Sequence, residues 1–180
     1  MRSATIKRET TETKIKLRLA LDGRGRYKVD TGIRFLDHML ELLDRHRTFD
    51  LTLDATRDLD VDQHHTVEDV GIVFGQTFRE ALGTAEGIRR YASVVLPMAE
   101  SKVEVAVDIS NRPYMVYEVE FENNRIGDFD ATLAEDFTLA EITFRDAATM
   151  EVDDRNAREL LAGVDAARSA LLVDHATRIE

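Results

Sequence analysis

The apolar residues change their period along this chain, from two to 3.6 and back, and that switch restricts the folds open to it. TKIKLRLAL at 13–21 alternates apolar and polar positions, with Ile15, Leu17, Leu19 and Leu21 in phase. Alternation puts successive side chains on opposite faces, so the segment predicts a half-buried strand. DGRG at 22–25 is a turn signal and predicts a hairpin, with RYKVD returning as the next strand. Over 32–46 the period lengthens. Ile33, Leu36, Leu40 and Leu43 follow helical spacing, and Phe35, Met39 and Leu42 widen the stripe. FDLTLDAT at 49–56 alternates again, and 64–82 predicts a second helix stopping at Gly83. From residue 90 the order returns. SVVLPM (93–98), KVEVAVDIS (102–110) and RPYMVYEVEF (112–121) predict strands, and 131–147 predicts a helix. TMEVDD (149–154) predicts a short strand, and ARELLAGVDAARSALL (157–172) a last amphipathic helix.

Both halves therefore run strands, helix, strand, helix. This element order predicts an internal duplication of about 90 residues, with pseudo-repeats over about 1–90 and 91–180. A small sheet with helices on one face must bury those helices, and two such layers can cover each other. The expected fold is α+β, with helices packed between two sheets. A single irregular α+β domain is the plainer alternative. The 180 residues and the absence of a Pro- or Gly-rich linker favour one domain over the whole chain, 1–180.

Composition narrows the chemistry. The chain has no cysteine, which excludes disulfides, thiolate zinc sites and a cysteine nucleophile. Any metal ligands must be His, Asp, Glu or carbonyl oxygen. The 35 acidic residues against 24 basic ones oppose broad binding to nucleic acid or to an anionic membrane. No apolar run reaches the roughly 20 residues of a spanning helix. MRSATIKRETTETK lacks the apolar core of a signal peptide, so a cytoplasmic location is expected.

The densest chemical signal is DQHHTVEDVG at 62–71. On a helix, Glu68 lies near both His64 and His65, and imidazole plus carboxylate suits a borderline divalent metal. Adjacent helical residues diverge by about 100°, so two metals taking one histidine each fit better than one. The plainer alternative is a solvated helix start whose acids favour the dipole. LDHML at 36–40 puts His38 beside Asp37 and Glu41 on the polar side of a helix, where a carboxylate can orient a ligating imidazole. A structural histidine is the alternative there. Arg89, Arg90 and Arg112 offer bidentate anion binding, or surface ion pairs. Glu12 in RETTETKI is a strand-borne carboxylate that can act as an acid or base.

Taken together, several stretches resemble the imidazoleglycerol-phosphate dehydratase family of histidine biosynthesis. They are R-x-T-x-E-T at 8–13, TGIRFLDHMLELLDRH at 31–46, DQHHTVEDVGIVFGQ at 62–76 and ALGTAEGIRRY at 81–91. LPM at 96–98, VDISNRPYMVYEVEF at 107–121 and RIGDF at 125–129 follow in the same order. The resemblance implies two duplicated halves, each a four-stranded sheet with two helices, in a ribosomal protein S5 domain 2-like arrangement. It implies a hydro-lyase that removes water from imidazoleglycerol phosphate to give imidazoleacetol phosphate. It implies Mn2+ or another divalent metal, which makes the substrate imidazole an electron sink, and trimers that assemble into 24-mers. By the same resemblance, His38, His64, His65 and Glu68 are metal ligands. Glu12 is the catalytic acid/base, with Glu100 near the site. Arg90 and Arg112 hold the phosphate, and His46 matches a further substrate-site histidine.

The second half departs from the family pattern. Where the family has N-A-H-H-x-x-E, residues 156–162 read NARELLA, so Arg158 and Glu159 replace the histidines and Ala162 the glutamate. Glu151 falls where the family has a strand histidine. Glu151 and Glu159 are possible substitute ligands. Arg158 is not, because guanidinium has no lone pair to donate. These replacements define the alternative reading: a non-catalytic or partner-dependent homologue that keeps the fold and assembly.

Overall fold

The computed structural model describes residues 1–45, 49–57, 62–98, 101–110, 112–119, 121 and 123–143. The first sheet contains β1 (Ser3–Glu9), β2 (Thr13–Ala20), β3 (Tyr27–Asp30) and β4 (Asp50–Arg57), in the spatial order β1-β2-β4-β3. Helix α1 (Arg34–Arg45) joins β3 to β4, and α2 (His64–Leu82) follows. Alternation on β2 holds as expected: Ile15, Leu17 and Leu19 are buried, with polar residues between them exposed. Their cross-strand partners on β4 are Ala55, Leu53 and Leu51, also buried. Each such leucine contributes roughly 1.5–3 kcal/mol relative to exposure. Leu36, Leu40 and Leu43 of α1 and Val67, Val70 and Val73 of α2 complete this core.

The DGRG hairpin is not what forms. β3 does not pair with β2. It pairs in parallel with β4, which lies between them and runs antiparallel to β2. The turn residues instead arch past the start of β4. Asp50 Oδ1 accepts the Arg24 and Arg26 backbone N–H groups at 2.7 and 3.0 Å. A Cβ on Gly23 would lie 2.4 Å from the Asp50 nitrogen, so only glycine passes there. The turn chemistry is real, but it serves a crossing rather than a hairpin.

Helix α2 spans the expected residues and ends at Gly83. It packs against β1 and β2 and also against α3 (Leu133–Thr143). The α2–α3 contact is close because of Gly71, where an added Cβ would meet the Phe137 carbonyl oxygen at 2.5 Å and the Ala140 Cβ at 3.1 Å. Phe74 and Phe137 pack beside it with ring centroids 6.3 Å apart. Gly71→Ala is expected to destabilise the protein by about 1–3 kcal/mol through overpacking, outweighing a helix-propensity gain of about 1 kcal/mol. Denaturant melts check this; a variant more stable than wild type would mean that α3 can simply move away.

Of the later strands expected, the first two form close to their expected bounds and the third does not. β5 (Tyr91–Met98) and β6 (Ser101–Asp108) form an antiparallel pair, and β7 (Arg125–Ile126) and β8 (Phe129–Asp130) another. Segment 112–121 is not a regular strand among the described residues. It carries one bridge, at Tyr114, and buries Met115, while Tyr114, Val116, Val119 and Phe121 are exposed. A strand needs a ladder partner, and none of the described strands runs along it. The helix expected at 131–147 is described as α3 over Leu133–Thr143. The expected strand at 149–154 and helix at 157–172 lie outside the described residues.

Candidate active site

The first turn of α2 carries His64 and His65 into partial exposure, with Glu68 one turn further on. Asp62 Oδ1 accepts the His64 backbone N–H at 2.9 Å and so satisfies one of the open donors of the helix start. His65 Nδ1 stands 3.1 Å from Glu12 Oε2. His64 Nδ1 stands 3.4 Å from Asp136 Oδ2, on α3. The two rings lie edge to face, with centroids 5.8 Å apart and planes at 75°. They diverge, as adjacent helical residues must.

Glu12 reaches His65 because the turn that bears it is anchored. Thr10 Oγ1 accepts the Glu12 and Thr13 backbone N–H groups at 3.2 and 2.9 Å. The Thr13 hydroxyl donates to Asp69 Oδ2. Asp69 Oδ1 in turn accepts Arg8 Nε at 2.9 Å. Asp69 is 8% exposed, so this carboxylate is a buried tie between α2 and the β1–β2 turn. In the sequence Asp69 is one of the acids that a solvated helix start alone would explain. Its only signal was position: one residue after Glu68, on the inward side of α2.

His38 is exposed on α1. Its neighbour Asp37 does not orient it. Asp37 Oδ1 turns back to accept the Thr31 N–H at 2.8 Å and the Thr31 hydroxyl at 2.6 Å, fixing the start of α1. Arg90 and Arg112 come together on one open cavity of about 1420 Å³, also lined by Arg89, Ser110 and Tyr114. Arg90 is already engaged there: Asp108 takes its Nε and Nη2 at 2.6 and 2.9 Å. That hydrogen bonding, with the charge of Asp108, raises the Arg90 pKa further above its ordinary value. His46, Glu100, Glu151 and Glu159, like Arg158 and Ala162, lie outside the described residues.

The donor set suits a divalent metal in its chemistry. Each of the two imidazoles has Nδ1 facing a carboxylate, the arrangement that leaves Nε2 for a metal. The buried Gln63 Oε1 has no hydrogen-bond partner among the described residues. Among the described residues, however, no three His, Asp or Glu side chains gather closely enough to hold an ion.

Nitrogen and oxygen donors, a carboxylate at an imidazole and an arginine-lined cavity are the equipment of a metal-assisted enzyme for a small anionic substrate. Comparison with known proteins makes this specific. The imidazoleglycerol-phosphate dehydratase family model matches residues 31–171. The chain is 54% identical over 141 residues to imidazoleglycerol-phosphate dehydratase of Geobacter sulfurreducens, covering 78% of this chain and 72% of that protein. It is 56% identical over 140 residues to the Azorhizobium caulinodans protein of the same name, covering 78% and 71%. A crystal structure of the Staphylococcus aureus dehydratase superposes with a TM-score of 0.71 at 26% identity, covering 95% of this chain and 96% of that one. The Pyrococcus furiosus enzyme gives 0.68 at 28%, covering 92% and 93%. This chain belongs to the imidazoleglycerol-phosphate dehydratase family, and it is a hydro-lyase.

Proposed function

We propose that this protein removes water from imidazoleglycerol phosphate to give imidazoleacetol phosphate, a step of histidine biosynthesis. The observation that carries the reading is the Glu12 carboxylate 3.1 Å from His65, at the start of the helix with the paired histidines. Elimination takes a proton from one carbon and hydroxide from its neighbour. Glu12 is half-exposed on an anchored turn, where it can accept or deliver that proton. His64, His65, Glu68 and His38 would hold divalent metal, with His64 and His65 on separate ions, manganese in our reading. When bound, it supplies Lewis acidity toward the substrate imidazole. Arg90 and Arg112 would hold the phosphate, with Asp108 yielding Arg90 to the incoming anion. Glu100 and His46 complete the proposed substrate site, and Glu151 and Glu159 are candidate further ligands.

By the family resemblance we favour an oligomer, a trimer building to a 24-mer. Exposed Val95, Leu96 and Val103 on the β5–β6 pair offer apolar surface for it. We further read residues 1–180 as one domain of two pseudo-repeats in the S5 domain 2-like arrangement. The close packing of α2 on α3 supports helices between sheets. Among the described residues no helix is long and apolar enough to cross a membrane, and we place the protein in the cytoplasm. Relatives above 50% identity favour the enzyme over a non-catalytic homologue. Metal-stripped protein should be inactive and regain turnover of imidazoleglycerol phosphate on addition of manganese. Protein that neither binds manganese nor turns over would sink the reading.

A further inference from the structure

His64 and His65 meet carboxylates from different parts of the fold. Glu12 reaches His65 from the β1–β2 turn, and Asp136 faces His64 from the first turn of α3. Asp136 is not loosely placed. The next residue, Phe137, is buried, its carbonyl lies against Gly71 of α2, and its ring packs beside Phe74. The same helix contact that needs glycine at 71 thus holds this turn of α3 against α2, with the Asp136 carboxylate 3.4 Å from His64 Nδ1. A neutral imidazole carries one N–H, and a carboxylate at Nδ1 favours the proton there. The Nε2 lone pair is then left for a metal.

We propose that Asp136 is a positioning residue that fixes His64 as the Nδ1–H tautomer and so readies Nε2 as a metal ligand. The proposal rests on His64 being a ligand, as read above. It gives α3 a part in the site, and no residue of α3 stood out in the sequence as site-forming. Glu68 and His65 are the other ionisable neighbours on the same turn of α2, and neither is placed by a contact at His64 Nδ1 in the described structure.

The test compares full-length wild type, Asp136→Ala and Asp136→Glu. At about pH 8, above the usual histidine pKa, two-bond 1H–15N correlation of metal-free protein reads the tautomer of each imidazole. His64→Gln assigns the signal. Wild type is expected to show His64 as Nδ1–H, Asp136→Ala to shift it toward Nε2–H, and Asp136→Glu to restore it. Equilibrium dialysis with manganese alone is expected to show about 10- to 100-fold weaker binding by Asp136→Ala, with recovery in Asp136→Glu. An unchanged tautomer in Asp136→Ala overturns the proposal, whatever the melting temperature does. So does manganese affinity within about threefold of wild type, well short of the loss expected for such a partner. If wild type binds no manganese, the ligand reading fails, and the tautomer comparison alone decides whether Asp136 holds His64.

Discussion

Asp69→Ala is expected to cost the fold about 3 kcal/mol, seen as a fall of roughly 6–12 °C in melting temperature. Asp69 is the buried acceptor that joins three elements: Arg8 on β1, Thr13 at the start of β2, and its own helix α2. Removing it leaves the Arg8 guanidinium, about a third exposed, without its ion-pair partner and the Thr13 hydroxyl without its acceptor. Partial access of water to Arg8 keeps the loss at the low end for broken buried pairs. Asp69→Asn keeps an acceptor for Thr13 but loses the charge facing Arg8, and should fall between. Activity should drop more than stability alone explains, because the released 10–13 turn no longer holds Glu12 at His65. Circular-dichroism melts with parallel rate measurements on folded protein check both parts. Wild-type melting in Asp69→Ala would show that the network does not carry the turn.

Glu12→Gln should lower kcat by about 10²–10⁴, or roughly 3–5.5 kcal/mol of barrier, with KM within a few-fold. Glutamine keeps the shape and can still face His65 Nδ1, but it cannot exchange a proton. Glu12 is half-exposed, so the melting temperature should stay at the wild-type value. Initial rates with imidazoleglycerol phosphate and saturating manganese measure this. A kcat within about threefold of wild type would falsify the acid/base role, since proton-transfer losses are far larger. Together the two substitutions separate the residue that does the proton chemistry from the one that holds it in place.

Much of the frame was legible because its signals are local. The 3.6-residue period over 64–82 and the stop at Gly83 lie within one segment, and α2 follows them. The alternation of Ile15, Leu17 and Leu19 likewise reports burial directly. The failures come where a partner far along the chain decides. The DGRG turn was read correctly as a turn, but pairing was set by β4, whose Asp50 captures the turn's N–H groups. RPYMVYEVEF has the composition of a strand, yet composition does not supply a neighbour to pair with. In the site, Glu12 and His65 were each picked out by chemistry, and only the fold shows them facing each other. For the same reason, the sequence does not single out Asp69 or Asp136. An acid near a helix start reads as favourable to the dipole, and nothing local says that Arg8 or His64 waits across the interface.

The place of β4 between β2 and β3 also governs how the first half assembles. β2 and β3 are neighbours in sequence, joined by a loop that can close quickly, yet they are not neighbours in the finished sheet. A direct β2–β3 hairpin is therefore the fast local competitor of the native order. The native sheet waits until α1 and β4 have been gathered in and β4 occupies the central position. Contacts of that range slow folding relative to a meander of the same size. Asp50 favours the native order. By taking the Arg24 and Arg26 N–H groups, it rewards the arched turn only when β4 has arrived.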